Sequence, residues 1–171
     1  MSKGYTHIYT GNGKGKTTAA FGVVLRSIMI DKKVYVGQFI KGMKYSETKL
    51  ENTFTNLKIE QYGVECFIDS EPLEDDFKRA LLGYNYALNA LKSCKFDLIV
   101  LDEIFIAYFY KMISKDQIIN LIESKCQSTE LILTGRYCPK ELYEFADLVT
   151  EMTEVKHYYS EGVLSREGID C

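Results

Sequence analysis

The chain has 171 residues, of which 46% are hydrophobic and 26% are charged, with a formal net charge of −3. This composition excludes a disordered protein, and the length is sufficient for one domain with a core of its own. A weakly acidic chain is not expected to bind nucleic acid, and no apolar run approaches the ~18 residues of a membrane span. No signal-peptide segment follows Met1, so we expect a cytoplasmic protein.

Short β-like runs alternate with helical runs along the chain, which is typical of βαβ units and a parallel sheet. The predicted strands are Tyr5–Thr10, Lys33–Phe39, Leu57–Tyr62, Phe96–Leu101, Glu130–Thr134 and Asp147–Met152. The predicted helices are Lys16–Ile30, Pro72–Cys94, a helix opened by a Ser114–Gln117 capping box, and Pro139–Ala146. A polar loop, Lys41–Lys49, follows the second strand, and the tail from Thr153 has no clear period.

The cysteines give no sign of a disulfide framework or a zinc site. Five are present, an odd number at wide spacings and without a C-x-x-C pair, and only two histidines occur. We therefore expect the cysteines to be reduced. They are Cys66, Cys94, Cys126, Cys138 and Cys171.

A glycine-rich segment joins the first predicted strand to the first predicted helix. Its backbone N–H groups can turn inward at a helix N-terminus, an arrangement that binds phosphate. The segment ends in the Gly-Lys-Thr of the G-x-x-x-x-G-K-[ST] motif, although Thr10 stands where that motif begins with glycine. The candidate nucleotide-binding residues are Gly11, Asn12, Gly13, Lys14, Gly15, Lys16, Thr17 and Thr18. The alternative is an ordinary glycine-rich turn with a solvated lysine.

This loop and the alternating elements predict an α/β fold of the P-loop (RecA-like) type. We expect three layers around a mostly parallel central sheet of five to six strands. A single domain should cover residues 1–171, with residues 153–171 as a C-terminal tail that packs on or near the site.

Two later segments supply further candidate site residues. Asp102 and Glu103 end an apolar strand, where acids of P-loop proteins reach the metal or its waters; alternatively, they cap the next helix. Arg136 follows a buried strand, where it could hold phosphate through paired hydrogen bonds or lie in a surface turn.

Several blocks in chain order resemble the P-loop type of ATP:corrinoid adenosyltransferases. The resemblance covers nearly the whole chain, and the blocks after the loop are more specific than the loop itself. The blocks are Gly11–Gly22, Gln38–Gly42, Leu101–Glu103, Leu133–Arg136, Ala146–Met152, Val155–His157 and Gly168–Asp170.

The resemblance implies that cobalt(I) of reduced cobalamin, or of another corrinoid, attacks C5′ of ATP and releases triphosphate, in cobalamin biosynthesis or salvage. Lys16 and Arg136 would stabilise the leaving triphosphate, and Thr17 and Glu103 would ligate Mg²⁺ with Asp102 behind them. The resemblance also implies a homodimer and an external flavoprotein reductant. Arg26 matches an arginine of the family's first helix, but a solvated side chain is an equal interpretation.

Two departures concern the corrinoid half of the reaction. Longer members carry an N-terminal extension over the active site, whereas this chain starts a few residues before its first strand. Those members also have an aromatic pair after the third strand; here residues 63–70 offer Phe67, beside Cys66. Other aromatic residues could line a corrin site or belong to the core or a dimer contact. They are Phe105, Tyr108, Phe109, Tyr110, Tyr158 and Tyr159.

Two other functions remain open from the residues alone. An ordinary P-loop ATPase or kinase would cleave at the γ-phosphate and release ADP, and Glu103 could position its water or acceptor. A nucleotide sensor or corrinoid carrier would bind without turnover. His157 is not expected to act as a base, because the transfer needs none.

Overall fold

A computed structural model describes residues 3–43, 45–64 and 72–170. The strands are β1 (Thr6–Thr10), β2 (Val34–Phe39), β3 (Leu57–Tyr62), β4 (Leu98–Asp102), β5 (Glu130–Thr134) and β6 (Leu148–Glu151). The α-helices are α1 (Lys16–Ile28), α2 (Glu74–Lys92), α3 (Ile104–Phe109) and α4 (Lys115–Glu123). Short 3-10 helices span Ser46–Asn52, Lys140–Phe145 and Tyr158–Glu161. No described helix has both the length and the apolar character needed to cross a membrane.

The strands form one six-stranded sheet in the order β3-β2-β4-β5-β1-β6. All pairings of the described strands are parallel, which confirms the predicted α/β class. The carboxyl ends of parallel strands meet at one edge of a sheet, where α/β proteins bind their ligands. The glycine-rich segment after β1 and the acids that end β4 therefore lie at the same edge.

Helices cover both faces of the sheet and give the molecule three layers. The apolar sequence of β4 reflects this arrangement, because its successive side chains point into the hydrophobic cores on opposite faces of the sheet. Leu98 and Val100 pack on the α1 side, whereas Ile99 and Leu101 pack on the side of α2, α3 and α4. The two faces of β4 thus explain a strand with no polar alternation.

Local signals in the sequence predict the helix starts better than the loops. The capping box is confirmed, since Ser114 and Gln117 exchange hydrogen bonds of 2.8 and 3.2 Å before α4. The segment predicted as the loop Lys41–Lys49 instead enters the 3-10 helix Ser46–Asn52, and the helix predicted at Pro139–Ala146 is the 3-10 helix Lys140–Phe145.

A disulfide joins Cys94 and Cys126, so the expectation that these two cysteines are reduced is wrong. Cys94 follows α2 and Cys126 follows α4, and the packing of these helices brings the Cα atoms within 5.5 Å. A separation of 32 residues gave no hint of this contact. Cys138 has a free thiol whose pKa burial raises to about 12. Cys66 and Cys171 lie outside the described residues.

Candidate functional site

The glycine-rich segment packs against the chain that follows β6. Gly11 has φ +100, and a Cβ there would lie 2.4 Å from the Met152 carbonyl oxygen. The Gly13 N–H donates to the same oxygen at 2.7 Å. Gly15, with φ +116, leads into α1 without a side-chain cap, so the first N–H groups of that helix are available to a ligand. This geometry has the left-handed glycines and the uncapped helix N-terminus that an anion-binding loop requires.

Lys16 is buried within this loop. Its ammonium donates hydrogen bonds of 2.8 Å to each of the Gly11 and Gly13 carbonyl oxygens. Burial lowers the pKa of Lys16, and Arg136 lowers it further, while Glu103 and Asp102 oppose them. These couplings place two positive and two negative side chains around one region at the carboxyl edge of the sheet.

Asp102 is the centre of the polar network and is fully buried at the end of β4. Its Oδ1 accepts hydrogen bonds from the hydroxyls of Thr17 at 2.9 Å and Thr134 at 2.7 Å. Its Oδ2 accepts from Lys41 at 2.8 Å and Gln38 at 3.2 Å. Burial alone would raise the pKa of Asp102, but the Lys41 ammonium and the hydroxyls of Thr134 and Thr17 together lower that pKa. Asp102 is therefore a carboxylate held in place by its neighbours.

Glu103 lies next to Asp102 but in a different environment. Its backbone has φ +59, and its N–H donates to the Thr134 hydroxyl at 3.0 Å. Glu103 Oε2 is buried and has no hydrogen-bond partner among the residues that the structure describes. Burial raises the pKa of Glu103, and the neighbouring Asp102 raises it further. A buried carboxylate oxygen without a partner is an available ligand for a cation.

Arg136 stands at the carboxyl end of β5, and its charge reaches both Lys16 and Glu103. It follows Gly135, where φ is +140 and a Cβ would lie 2.9 Å from Phe105. Arg136 is exposed, so it can turn towards a bound anion. Arg26, by contrast, is exposed in the last turn of α1, roughly 15 Å along the helix axis from Lys16. The structure does not bring Arg26 into the cluster.

A cleft of ≈ 480 Å³ opens beside Thr17. Its walls come from the start of α1, the chain after β2 and the C-terminal tail. They include Thr17, Thr18, Phe21, Lys41, Met43, Tyr45, Ser46, Glu47, Ser165, Gly168, Ile169 and Asp170. Neither Lys41 nor Glu47 was selected as a site residue from the sequence. Lys41 follows the buried strand β2, which pairs with β4, and this position was a usable signal for it.

The C-terminal tail reaches this cleft from the far edge of the sheet. Lys14 of the phosphate loop forms an ion pair with Asp170 and donates to the Tyr158 hydroxyl at 2.7 Å. Arg166 lies 4.7 Å from the centre of the Tyr158 ring and also bonds to Asp170. These contacts attach the tail to one side of the loop.

The aromatic candidates separate into different environments. Phe105 is fully buried in the core, and the exposed Phe109 stacks on Tyr137 with ring centres 4.4 Å apart. His157 accepts a hydrogen bond from the Tyr159 N–H, a local contact that opens a 3-10 helix. Phe67 lies outside the described residues.

Comparisons with known proteins indicate the family of the chain. The family described as ATP:corrinoid adenosyltransferase BtuR/CobO/CobP matches residues 2–171. The corrinoid adenosyltransferase of Escherichia coli K12 is 34% identical over 175 residues, which cover 98% of this chain and 86% of that protein. Corrinoid adenosyltransferase CobA of Salmonella typhimurium LT2 is 33% identical over the same shares of both chains. A corrinoid adenosyltransferase of Pseudomonas aeruginosa PAO1 is 33% identical and is covered over 84% of its length.

Proposed function

The chain belongs to the ATP:corrinoid adenosyltransferase family, and we propose that its loop and cleft transfer the 5′-deoxyadenosyl group of ATP to the cobalt of cob(I)alamin or a related corrinoid. The observation that carries this proposal is the contact of the Thr17 hydroxyl, in the glycine-rich loop, with Asp102 at the end of β4, beside the buried Glu103 Oε2 that has no partner among the described residues.

The bond changes set the task of the protein. Cobalt(I) supplies an electron pair to C5′, the cobalt–carbon bond forms, and the C5′–oxygen bond breaks with its electrons leaving on triphosphate. No proton has to move, so no side chain has to act as a base. The chain must hold C5′ in line with cobalt, which is worth ~7–11 kcal/mol in well-oriented reactions. It must also stabilise the leaving anion.

The leaving triphosphate would lie on residues 11–18. Backbone N–H groups of the loop and of the first turn of α1 would donate to its oxygens. Lys16 would exchange its bonds to the Gly11 and Gly13 carbonyls for bonds to phosphate, and Arg136 would add a second positive charge. Fixed charges aimed at a developing anion are among the largest contributions to catalysis.

Magnesium is the metal that these residues would suit. Hydroxyl and carboxylate oxygens are its preferred ligands, and it usually keeps waters and substrate phosphates rather than an all-protein cage. Thr17 and Glu103 would ligate it, with Asp102 behind them, and the buried Glu103 Oε2 fits this role. No cluster of three or more His, Cys, Asp or Glu occurs in the described part of the chain. Bound there, Mg²⁺ would neutralise charge on triphosphate.

The remaining parts of the proposal follow from the family resemblance. We place the protein in the cytoplasm as a homodimer, supplied with electrons by a flavoprotein that generates cobalt(I). We treat residues 1–171 as one domain, in which the tail 153–171 closes part of the site; the contacts of Lys14 with Tyr158 and Asp170 support this arrangement.

The test is an oxygen-free incubation with Mg-ATP and chemically reduced cob(I)alamin. Triphosphate as the product, with a light-sensitive alkylcobalamin spectrum, is expected. ADP and phosphate with an unchanged corrinoid spectrum would instead show ordinary P-loop hydrolysis and contradict the proposal.

A further inference from the structure

Lys41 contacts the end of β4 and the start of α1, the two elements between which the proposed function places Mg²⁺. Its ammonium is 2.8 Å from Asp102 Oδ2 and 3.5 Å from Thr17 Oγ1. A cation of the chain itself therefore bridges two of the oxygens that the proposed function places around Mg²⁺.

The backbone fixes Lys41 firmly at this point. Ile40 has φ +63, which is rare for a β-branched residue and persists only where surrounding structure imposes it. The chain on both sides is packed without space: a Cβ on Gly42 would lie 2.2 Å from the Val64 oxygen, and one on Gly63 would lie 2.4 Å from Ile40. Strained, close-packed backbone around a buried lysine indicates a defined position rather than a chance contact.

A second carboxylate, that of Glu47, lies beside Lys41. Glu47 Oε1 is 3.7 Å from the ammonium and lines the same cleft. The Tyr45 ring centre is 5.4 Å away and offers its face to the charge. A lysine side chain is flexible along four carbons, so the ammonium can pass from Asp102 towards Glu47 without a change in the backbone.

We propose that Lys41 is a positioning residue that keeps divalent metal away from Thr17, Asp102 and Glu103 until ATP binds. This inference rests on the proposed function, because it assumes that Mg²⁺ is held there together with triphosphate. With Lys41 in place, one of the two buried acids is already neutralised, and a bare divalent ion gains little by entering. Triphosphate brings several negative charges, so metal and nucleotide enter together while Lys41 moves towards Glu47.

The experiment measures Mn²⁺ binding by electron paramagnetic resonance on the full chain, with and without ATP and in the absence of corrinoid. The wild type is expected to bind Mn²⁺ only weakly without ATP and one ion per chain with it. Lys41→Met should bind Mn²⁺ without ATP about tenfold more tightly than the wild type, or better, because Asp102 then lacks its cation. Lys41→Arg, which keeps the charge, should behave as the wild type does.

Two results would overturn the inference while leaving the proposed function intact: wild-type protein that binds Mn²⁺ equally well without ATP, or folded Lys41→Met that binds it no better than the wild type. Failure of the wild type to bind Mn²⁺ even with ATP would remove the metal part of the proposed function and this inference together. If Lys41→Met does not fold alone, added Mn²⁺ should restore its circular dichroism spectrum, and no restoration would also overturn the inference. Asp102→Asn combined with Lys41→Met should abolish the ATP-independent binding.

Discussion

Asp102 accepts hydrogen bonds on both carboxylate oxygens, whereas Glu103, the next residue, keeps one buried oxygen without a partner among the described residues. The difference arises from the backbone, since β4 ends at Asp102 and the positive φ of Glu103 turns its side chain out of the strand alternation. The two acids are therefore suited to different tasks: Asp102 holds the network together, and Glu103 is free to meet a cation.

Lys16→Ala should reduce adenosyl transfer by about 10²- to 10³-fold, as does the loss of one donor to a developing anion in other enzymes. Among the described residues, the ammonium bonds to two carbonyl oxygens of its own loop, those of Gly11 and Gly13, so thermal unfolding should change little. Steady-state rates of triphosphate release provide the measurement. Lys32→Ala, an exposed lysine beyond α1, is the matched control, and equal rates for the two variants would contradict the role of Lys16.

Glu103→Gln should raise the Mg²⁺ concentration needed for half-maximal activity, because an amide is a weaker metal ligand than a carboxylate. A Mg²⁺ titration of the initial rate measures this shift. Glu123→Gln, on an exposed face of α4, should leave the titration unchanged. An unaltered Mg²⁺ requirement in Glu103→Gln would exclude Glu103 as a ligand.

Glu103→Gln should also alter the dependence of stability on pH. Burial beside Asp102 raises the pKa of Glu103, so between the ordinary and the raised pKa the folded chain binds more protons than the unfolded chain. The contribution of Glu103 to stability therefore falls as pH rises through that window. Metal-free Glu103→Gln should be more stable than the wild type at pH 7, by about 1.4 kcal/mol for each unit of pKa change, and the gain should shrink towards pH 4. Urea unfolding at the two pH values tests this prediction.

Asp170→Asn should release the C-terminal tail from the phosphate loop. The Lys14 ammonium lowers the pKa of Asp170, so the ion pair is charged throughout the neutral range. Loss of the pair should raise KM for ATP by about two- to fivefold and speed proteolysis within residues 153–170. Glu167→Gln, whose exposed carboxylate lies 3.9 Å from Lys49, is the control. Identical cleavage rates in both variants would show that Asp170 does not anchor the tail.

Replacing Cys94 and Cys126 by serine should lower the free energy of unfolding by up to about 3.7 kcal/mol, from the entropy of closing a 32-residue loop. Adenosyl transfer should be unaffected, because both cysteines lie at the end of the sheet opposite the phosphate loop. Urea unfolding with and without reductant gives the energy. Alkylation that finds both thiols free in the purified wild type would show that the bond does not form in solution.

The sequence predicts the class of fold well because its signals are local. An unbroken apolar run such as Leu98–Leu101 is typical of a strand buried on both faces, and Gly-Lys-Thr at a strand–helix junction is typical of the loop. The position of Lys41 against Asp102 depends on the pairing of strands β2 and β4, and the two residues are 61 positions apart in the chain. The Cys94–Cys126 bond likewise depends on how α2 packs on α4. Contacts of this kind are set by tertiary structure, and no local pattern records them.

The contact of the phosphate loop with Met152 limits which changes of sequence the loop can tolerate and how it can be grafted onto another protein. The Met152 carbonyl oxygen occupies the space that a side chain would need at both Gly11 and Gly13. The shape of the loop therefore depends partly on backbone that lies 141 residues after Gly11. An insertion between Glu151 and Met152, or a deletion within β6, would displace that oxygen and disturb the glycine-rich loop, which is remote from it in sequence. A graft of residues 11–18 onto another parallel sheet should therefore carry its own edge strand, with the register of β6 against β1 preserved.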